Sequence, residues 1–217
     1  MKTLLFDFDG VLIKNPKLEN IIENKSIEFV SKQLHNPPNP KELNKNFYRN
    51  FGHTAIGLKH FYERKQNINV KDFIYDYNEY VFSNINYNEL KSLITNDDRV
   101  HMNRLFTITG HKKENVGIFT NAPSSWCENI AMLMDIDIYE HVNEDFMFTS
   151  NEGLVKPLQN AYNKVEQKMN TDILFIDDSI QNLLPILYSD RWNVYLQNNF
   201  YRQNLYSYLS SSSIEFL

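Results

Sequence analysis

The chain has a single cysteine, Cys127, among 217 residues. A disulfide framework is thereby excluded, and nothing pairs with this thiol at metal-ligand spacing. A reduced compartment follows as the natural setting, and the cytoplasm as the expected location. No apolar run approaches the roughly 20 residues that cross a bilayer. The apolar start, residues 1–13, carries two aspartates and lacks a cleavage pattern. Basic charge is also in deficit, with 22 lysines and arginines against 27 aspartates and glutamates, so long-range attraction to a polyanion is missing. Neither nucleic acid nor an anionic membrane is expected as a partner, and the local basic run from Lys59 to Lys65 does not change that. No internal repeat is visible, and the serines at 210–213 read as an ordinary terminus.

What is present suits a globular α/β protein. Hydrophobic residues make up 42% and charged residues 23%, which separates the chain from disordered sequences. Asparagine occurs 29 times, so no single Asn counts as evidence of chemistry. Apolar runs of strand length occur at 3–8, 116–120, 173–176 and, less clearly, 146–149 and 192–196. Such runs fit strands of a parallel sheet covered on both faces. Helical spacing at 125–134, 159–169 and 180–188 gives the βαβ rhythm of a doubly wound fold.

About 100 residues separate the first two clear strands, where one crossover helix would do. Leu18, Ile22, Phe29, Val30 and Leu34 fit a helix there, ended by the cluster from Pro37 to Pro40, and further helical patterns run over 43–51, 73–81 and 87–94. The expected organisation is a Rossmann-like core of residues 1–14 and 96–217, with a helical cap of residues 15–95 inserted after the first strand. Ligands of open α/β sheets bind where that insertion leaves, which favours a lid.

Four short stretches carry the chemistry: FDFDG at 6–10, FTN at 119–121, VKP at 155–157 and IDDS at 176–179. Three of them end predicted strands, and in a parallel sheet those ends share one edge. Asp7, Asp9, Thr120, Asp177 and Asp178 would converge there, with Lys156 reaching the same edge after a weaker strand. Each stretch alone has a plain explanation: a solvated turn, a strand end, a loop exit, or a helix cap at Asp178 and Ser179. Together they crowd four carboxylates, which cannot all ionise without a cation, and oxygen ligands suit Mg²⁺. With a phosphomonoester added, one carboxylate of the first pair can attack phosphorus while the other handles the leaving-group proton.

The order DFDGVL, FTNA, GLVKP, IDDS resembles the four motifs of the haloacid dehalogenase-like hydrolases, most of which are Mg²⁺-dependent phosphatases. The resemblance spans nearly the whole chain, and the helical insertion falls where that superfamily's first type of cap falls. It implies Asp7 as nucleophile, Asp9 as general acid/base, and Thr120 and Lys156 as phosphate holders, with Asn121 beside them at the substrate. It also implies a metal held by Asp177, Asp178, the Asp7 carboxylate and the backbone carbonyl of Asp9. The dehalogenase branch lacks an aspartate at the position of Asp9, so that residue argues for phosphate chemistry.

The stretch FGHTAIGL at 51–58 resembles the YGxTxxGL segment in the cap of a pyrimidine 5′-nucleotidase-like branch. That resemblance implies a nucleoside 5′-monophosphate as the small phosphorylated substrate. Gly10-Val11 departs from the branch, which usually has Asn-Thr there, and is closer to sugar-phosphate phosphatases and mutases. His53, His60, Arg64, Lys65 and Lys14 are candidate substrate contacts, although helix surfaces carry such residues routinely. A receiver domain gathers similar groups, but it has a different motif order and no cap. A silent binding module would have to lose activity through geometry alone, since all six motif side chains are present.

Overall fold

The computed structural model describes residues 2–63, 70–108, 110 and 112–197. Arg64, Lys65 and the serines at 210–213 lie outside these described residues. Among the described residues five strands, β1 (Lys2–Phe6), β2 (Val116–Phe119), β3 (Met147–Phe148), β4 (Asp172–Asp177) and β5 (Trp192–Leu196), form one sheet in the order β3-β2-β1-β4-β5. All four pairings are parallel, the class expected from the unbroken apolar runs.

Side-chain alternation divides the core. Leu4, Phe6, Ile118, Leu174 and Ile176 face one side of the sheet, where they pack with Met102, Leu105, Trp126 and Ile130. These partners come from α6 (Asn96–Ile108) and α7 (Ser124–Leu133). Leu5, Phe119, Ile173 and Phe175 face the other side and meet Ala161, Tyr162 and Val165 of α8 (Gln159–Lys168). A short helix, α9 (Ile180–Leu183), follows β4 and passes into a 3-10 turn, so the helical pattern over 180–188 resolves into two shorter pieces. Of the two less clear strand expectations, 146–149 shrinks to the two residues of β3, while 192–196 is β5.

Between β1 and α6 the chain forms α1 (Pro16–Gln33), α2 (Pro40–Phe51), α3 (Thr54–Glu63), α4 (Val70–Val81) and α5 (Tyr87–Leu93). Local chemistry sets their starts. Asn15 accepts from the backbone N–H groups of Lys17 and Leu18, Asn39 accepts from that of Glu42, and a proline stands in the first turn of each helix. Phe29, Val30, Phe47, Ile56, Leu58, Ile74 and Tyr77 give these helices an apolar cluster of their own, joined from the sheet domain by Val155. The chain's exit from and return to the sheet are tied together: Asn15 Nδ2 donates to Asp98 Oδ2 at 2.9 Å and to the Leu93 carbonyl at 3.0 Å. His101 Nε2 adds a 2.8 Å bond to the Val11 carbonyl.

The second link between insertion and sheet is a glycine contact. Gly52 ends α2 with φ +72°, and a Cβ built there would lie 2.3 Å from Pro157 Cδ, immediately after Lys156. Only glycine meets both demands, the left-handed backbone and the close approach. Gly52→Ala is therefore expected to cost about 1–3 kcal/mol of stability, read from the urea midpoint. A midpoint equal to that of the wild type would show that this contact gives way freely.

Candidate active site

The carboxyl ends of β1, β2 and β4 place three of the motifs on one edge, at the reversal of strand order beside β1, and the loop before α8 brings Lys156 to it. Asp7 follows β1, with its N–H still bonded to the Ile176 carbonyl at 2.8 Å, and Asp177 closes β4. The loop after Asp7 folds back on itself through Gly10 N–H to the Ile13 carbonyl at 2.8 Å and Ile13 N–H to the Phe8 carbonyl at 2.9 Å. Gly10 has φ +85°, and a Cβ on it would lie 2.3 Å from Asp178 Oδ2. The chain thus passes directly over the acidic pair, an approach closed to other residues.

Lys156 is completely buried beneath this edge. Its ammonium lies 2.6 Å from Asp177 Oδ2 and 3.0 Å from Asp7 Oδ2, and it sits over the rings of Phe175 at 5.1 Å and Phe119 at 5.3 Å. Burial alone would lower its pKa, but the charges of Asp177 and Asp7 and their hydrogen bonds outweigh that and hold it above the ordinary lysine value. Asp177 is also held on both oxygens, accepting from Lys156, from Ser179 N–H at 2.7 Å, and from Asn182 Nδ2 at 3.1 Å to each oxygen. Asp7 Oδ1 accepts from Phe8 N–H at 2.7 Å.

Asp7, Asp177 and Asp178 each offer an oxygen within 4.8 Å of the others. Burial first, then the Asp177 charge, push the Asp7 pKa well above the ordinary value against the opposing pull of Lys156. Asp178 opens to solvent in the cleft, yet poor hydration at its floor and the Asp177 charge raise its pKa to about 7. One lysine therefore does not neutralise three carboxylates. Hard oxygen donors at this spacing, short of positive charge, fit a divalent cation such as Mg²⁺. The Asp9 side chain stands apart from the trio: its Oδ1 accepts from Trp126 Nε1 at 3.1 Å. Burial raises its pKa to about 6 against the lowering effect of that bond.

Thr120 is buried at the end of β2 and accepts from Ala122 N–H at 3.2 Å. Asn121 does something that the strand pattern does not foretell. Its amide donates to the Lys156 carbonyl at 2.9 Å and accepts from the Lys156 N–H at 2.7 Å, clamping the backbone of the lysine. Trp126 and Asn182 were invisible to motif reading, because an indole on a helix and one asparagine among 29 carry no signal of their own.

A cleft of about 730 Å³ lies over the edge, floored by Asp7, Asp9, Thr120 and Asp178. The insertion supplies its other wall, including Glu19, Glu23, Asn44, Arg49, Tyr77 and Phe82. His53 and Thr54 also line it, yet both have structural duties. His53 Nδ1 accepts from Ala55 N–H at 3.1 Å at the start of α3, and its burial lowers the imidazole pKa to about 4, so the ring is neutral. Thr54 Oγ1 donates to Asn44 Oδ1 at 2.7 Å. His60 stacks on Phe51 at 4.6 Å, and neither it nor Lys14 is among the described residues lining the cleft.

A family model, haloacid dehalogenase-like hydrolase, matches residues 1–187. The chain belongs to this family. It is accordingly a hydrolase from a family composed mostly of phosphatases, and the parallel sheet agrees with the family's Rossmann-like core. A search of curated proteins gives no match. None of the described helices of this family member is long and apolar enough to cross a membrane.

The acidic trio sets a test that needs no substrate. Millimolar Mg²⁺ is expected to raise the thermal midpoint of the wild type, since a ligand of the native state stabilises it. Asp178→Asn should be at least as stable as the wild type without metal, because one repelling charge is gone, and should lose most of the Mg²⁺ response. An undiminished response in Asp178→Asn would remove this residue from the cation site.

Proposed function

We propose that the chain is a Mg²⁺-dependent phosphomonoester hydrolase working through an aspartyl phosphate on Asp7, with a small phosphorylated metabolite as substrate. The observation that carries this reading is the pairing of Asp7, fixed by Lys156 and the Phe8 N–H, with Asp9, held apart from the acidic trio by its bond to Trp126 and raised by burial to a pKa of about 6. A carboxylate on a rigid strand end is oriented for attack, and an acid of this pKa can both give and take a proton near neutral pH. An Asp7 oxygen forms a bond to phosphorus as the ester oxygen departs, taking its proton from Asp9. Water then attacks phosphorus, Asp9 takes its proton, and the Asp7 carboxylate is released with phosphate.

Mg²⁺ held by Asp7, Asp177, Asp178 and the Asp9 carbonyl would neutralise charge on the phosphoryl oxygens. The Thr120 hydroxyl serves as a donor to the phosphoryl group. Lys156, behind Asp7, contributes its charge from below and orients the nucleophile, while Asn121 acts on substrate through its hold on Lys156. Residues 15–95 act as the cap, covering the ester during turnover. Asp7→Asn is expected to lower hydrolysis of an aryl phosphate by about 10³-fold or more, with the thermal midpoint showing an intact fold. Retained activity would contradict the nucleophile assignment.

For substrate we favour a nucleoside 5′-monophosphate of the pyrimidine type. The cleft has room for far more than phosphate, and Tyr48, Tyr77 and Phe82 offer aromatic surface to a base. The FGHTAIGL resemblance supports the same reading. Sugar phosphates are the second reading, on the strength of Gly10-Val11 and the carboxylates of Glu19 and Glu23 facing the cleft. A phosphomonoester panel is expected to rank UMP or CMP above hexose phosphates by kcat/KM, and the reverse order would favour the second reading.

A further inference from the structure

We propose that Trp126 is a positioning residue that selects which oxygen of Asp9 carries the transferred proton. The proposal rests on the phosphatase reading above. An indole N–H only donates, so the oxygen it meets must present a lone pair. Trp126 Nε1 meets Asp9 Oδ1 at 3.1 Å, so in the acid form of Asp9 the proton belongs on Oδ2. Without that bond either oxygen could hold it, and the carboxyl could turn about its terminal torsion.

The indole itself has little freedom. Trp126 is 2% exposed, lies in the first turn of α7 just after the Thr120 motif, and packs within the cluster that includes Phe8, Ile130 and Cys127. Phe82, just beyond α4, lies against its ring at 5.3 Å between centroids and lines the cleft. The donor to Asp9 is therefore gripped from the sheet domain on one side and touched by the insertion on the other. A residue that only filled space here would have no need of a polar edge, and a buried donor placed against a carboxylate is a directed contact.

The test uses the leaving group. Expulsion of an alkoxide needs the proton from Asp9, whereas a dinitrophenolate leaves with little help, and kcat/KM reports the step that forms the aspartyl phosphate. Trp126→Phe keeps the ring and removes the donor. Its loss in kcat/KM is expected to be about tenfold larger for an alkyl phosphate than for dinitrophenyl phosphate. In an Asp9→Asn background the same substitution should add almost nothing, because Trp126 acts through Asp9. Equal losses on both esters, or a full additional loss in the Asp9→Asn background, would overturn the assignment. Should Trp126→Phe fail to fold, the fluorescence difference between wild type and Asp9→Ala decides. A shifted tryptophan emission supports the bond, and superimposable spectra refute it. A wild-type chain that hydrolyses neither ester would remove the phosphatase reading, and the Trp126 role with it.

Discussion

A buried ammonium between two buried carboxylates governs the arrangement of this edge. Lys156 has no access to solvent, so its charge must be met inside the protein, and Asp177 and Asp7 meet it at 2.6 and 3.0 Å. Removing one member of such a set commonly costs about 3–5 kcal/mol, because the remaining charge is stranded. The surrounding contacts serve to keep the set satisfied. Asn121 clamps the lysine backbone, Asn182 and Ser179 complete Asp177, and the Tyr162 hydroxyl holds the Asn182 carbonyl at 2.5 Å. Two rings, Phe119 and Phe175, lie under the ammonium and belong to the core on that face of the sheet. The site is thus an extension of the core, and its rigidity has the same origin.

That economy leaves a charge imbalance at the surface of the cleft. Asp178 lies outside the lysine's hydrogen bonds, and desolvation, then the Asp177 charge, raise its pKa along with that of Asp7. Asp9 meets a different environment only two residues from Asp7, where its indole partner and its burial oppose each other. Adjacent carboxylates with separated environments are the physical basis for distinct nucleophilic and proton-transfer roles. The insertion completes the cleft, and its Gly52 contact with Pro157 sets it directly against the segment that carries Lys156.

Much of this was legible in the sequence because it depends on strand ends. Apolar runs fixed where β1, β2 and β4 stop, and a parallel sheet then brings Asp7, Thr120 and Asp177 together whatever lies between them. Two helices escaped the periodicity for identifiable reasons. The buried face of α6 includes Asp98 and His101, so its apolar stripe is interrupted. The α3 segment is apolar on most sides and includes Gly57, which obscures any stripe. The supporting contacts were illegible for another reason. Trp126 and the Asn121 clamp act through hydrogen bonds across 117 and 35 residues of sequence, and Asn182 acts through the amide it turns back onto Asp177, which no spacing rule encodes.

The most direct test of the account is to find where phosphorus is covalently held during turnover. A reaction with radiolabelled phosphomonoester in Mg²⁺, quenched in acid and digested, should place the label on the peptide containing Asp7. That label should be released by hydroxylamine as an acyl phosphate and be absent from Asp7→Asn. Label on another residue, or turnover with no acid-stable phosphoprotein at any quench time, would contradict the central claim that Asp7, held by Lys156, is the nucleophile.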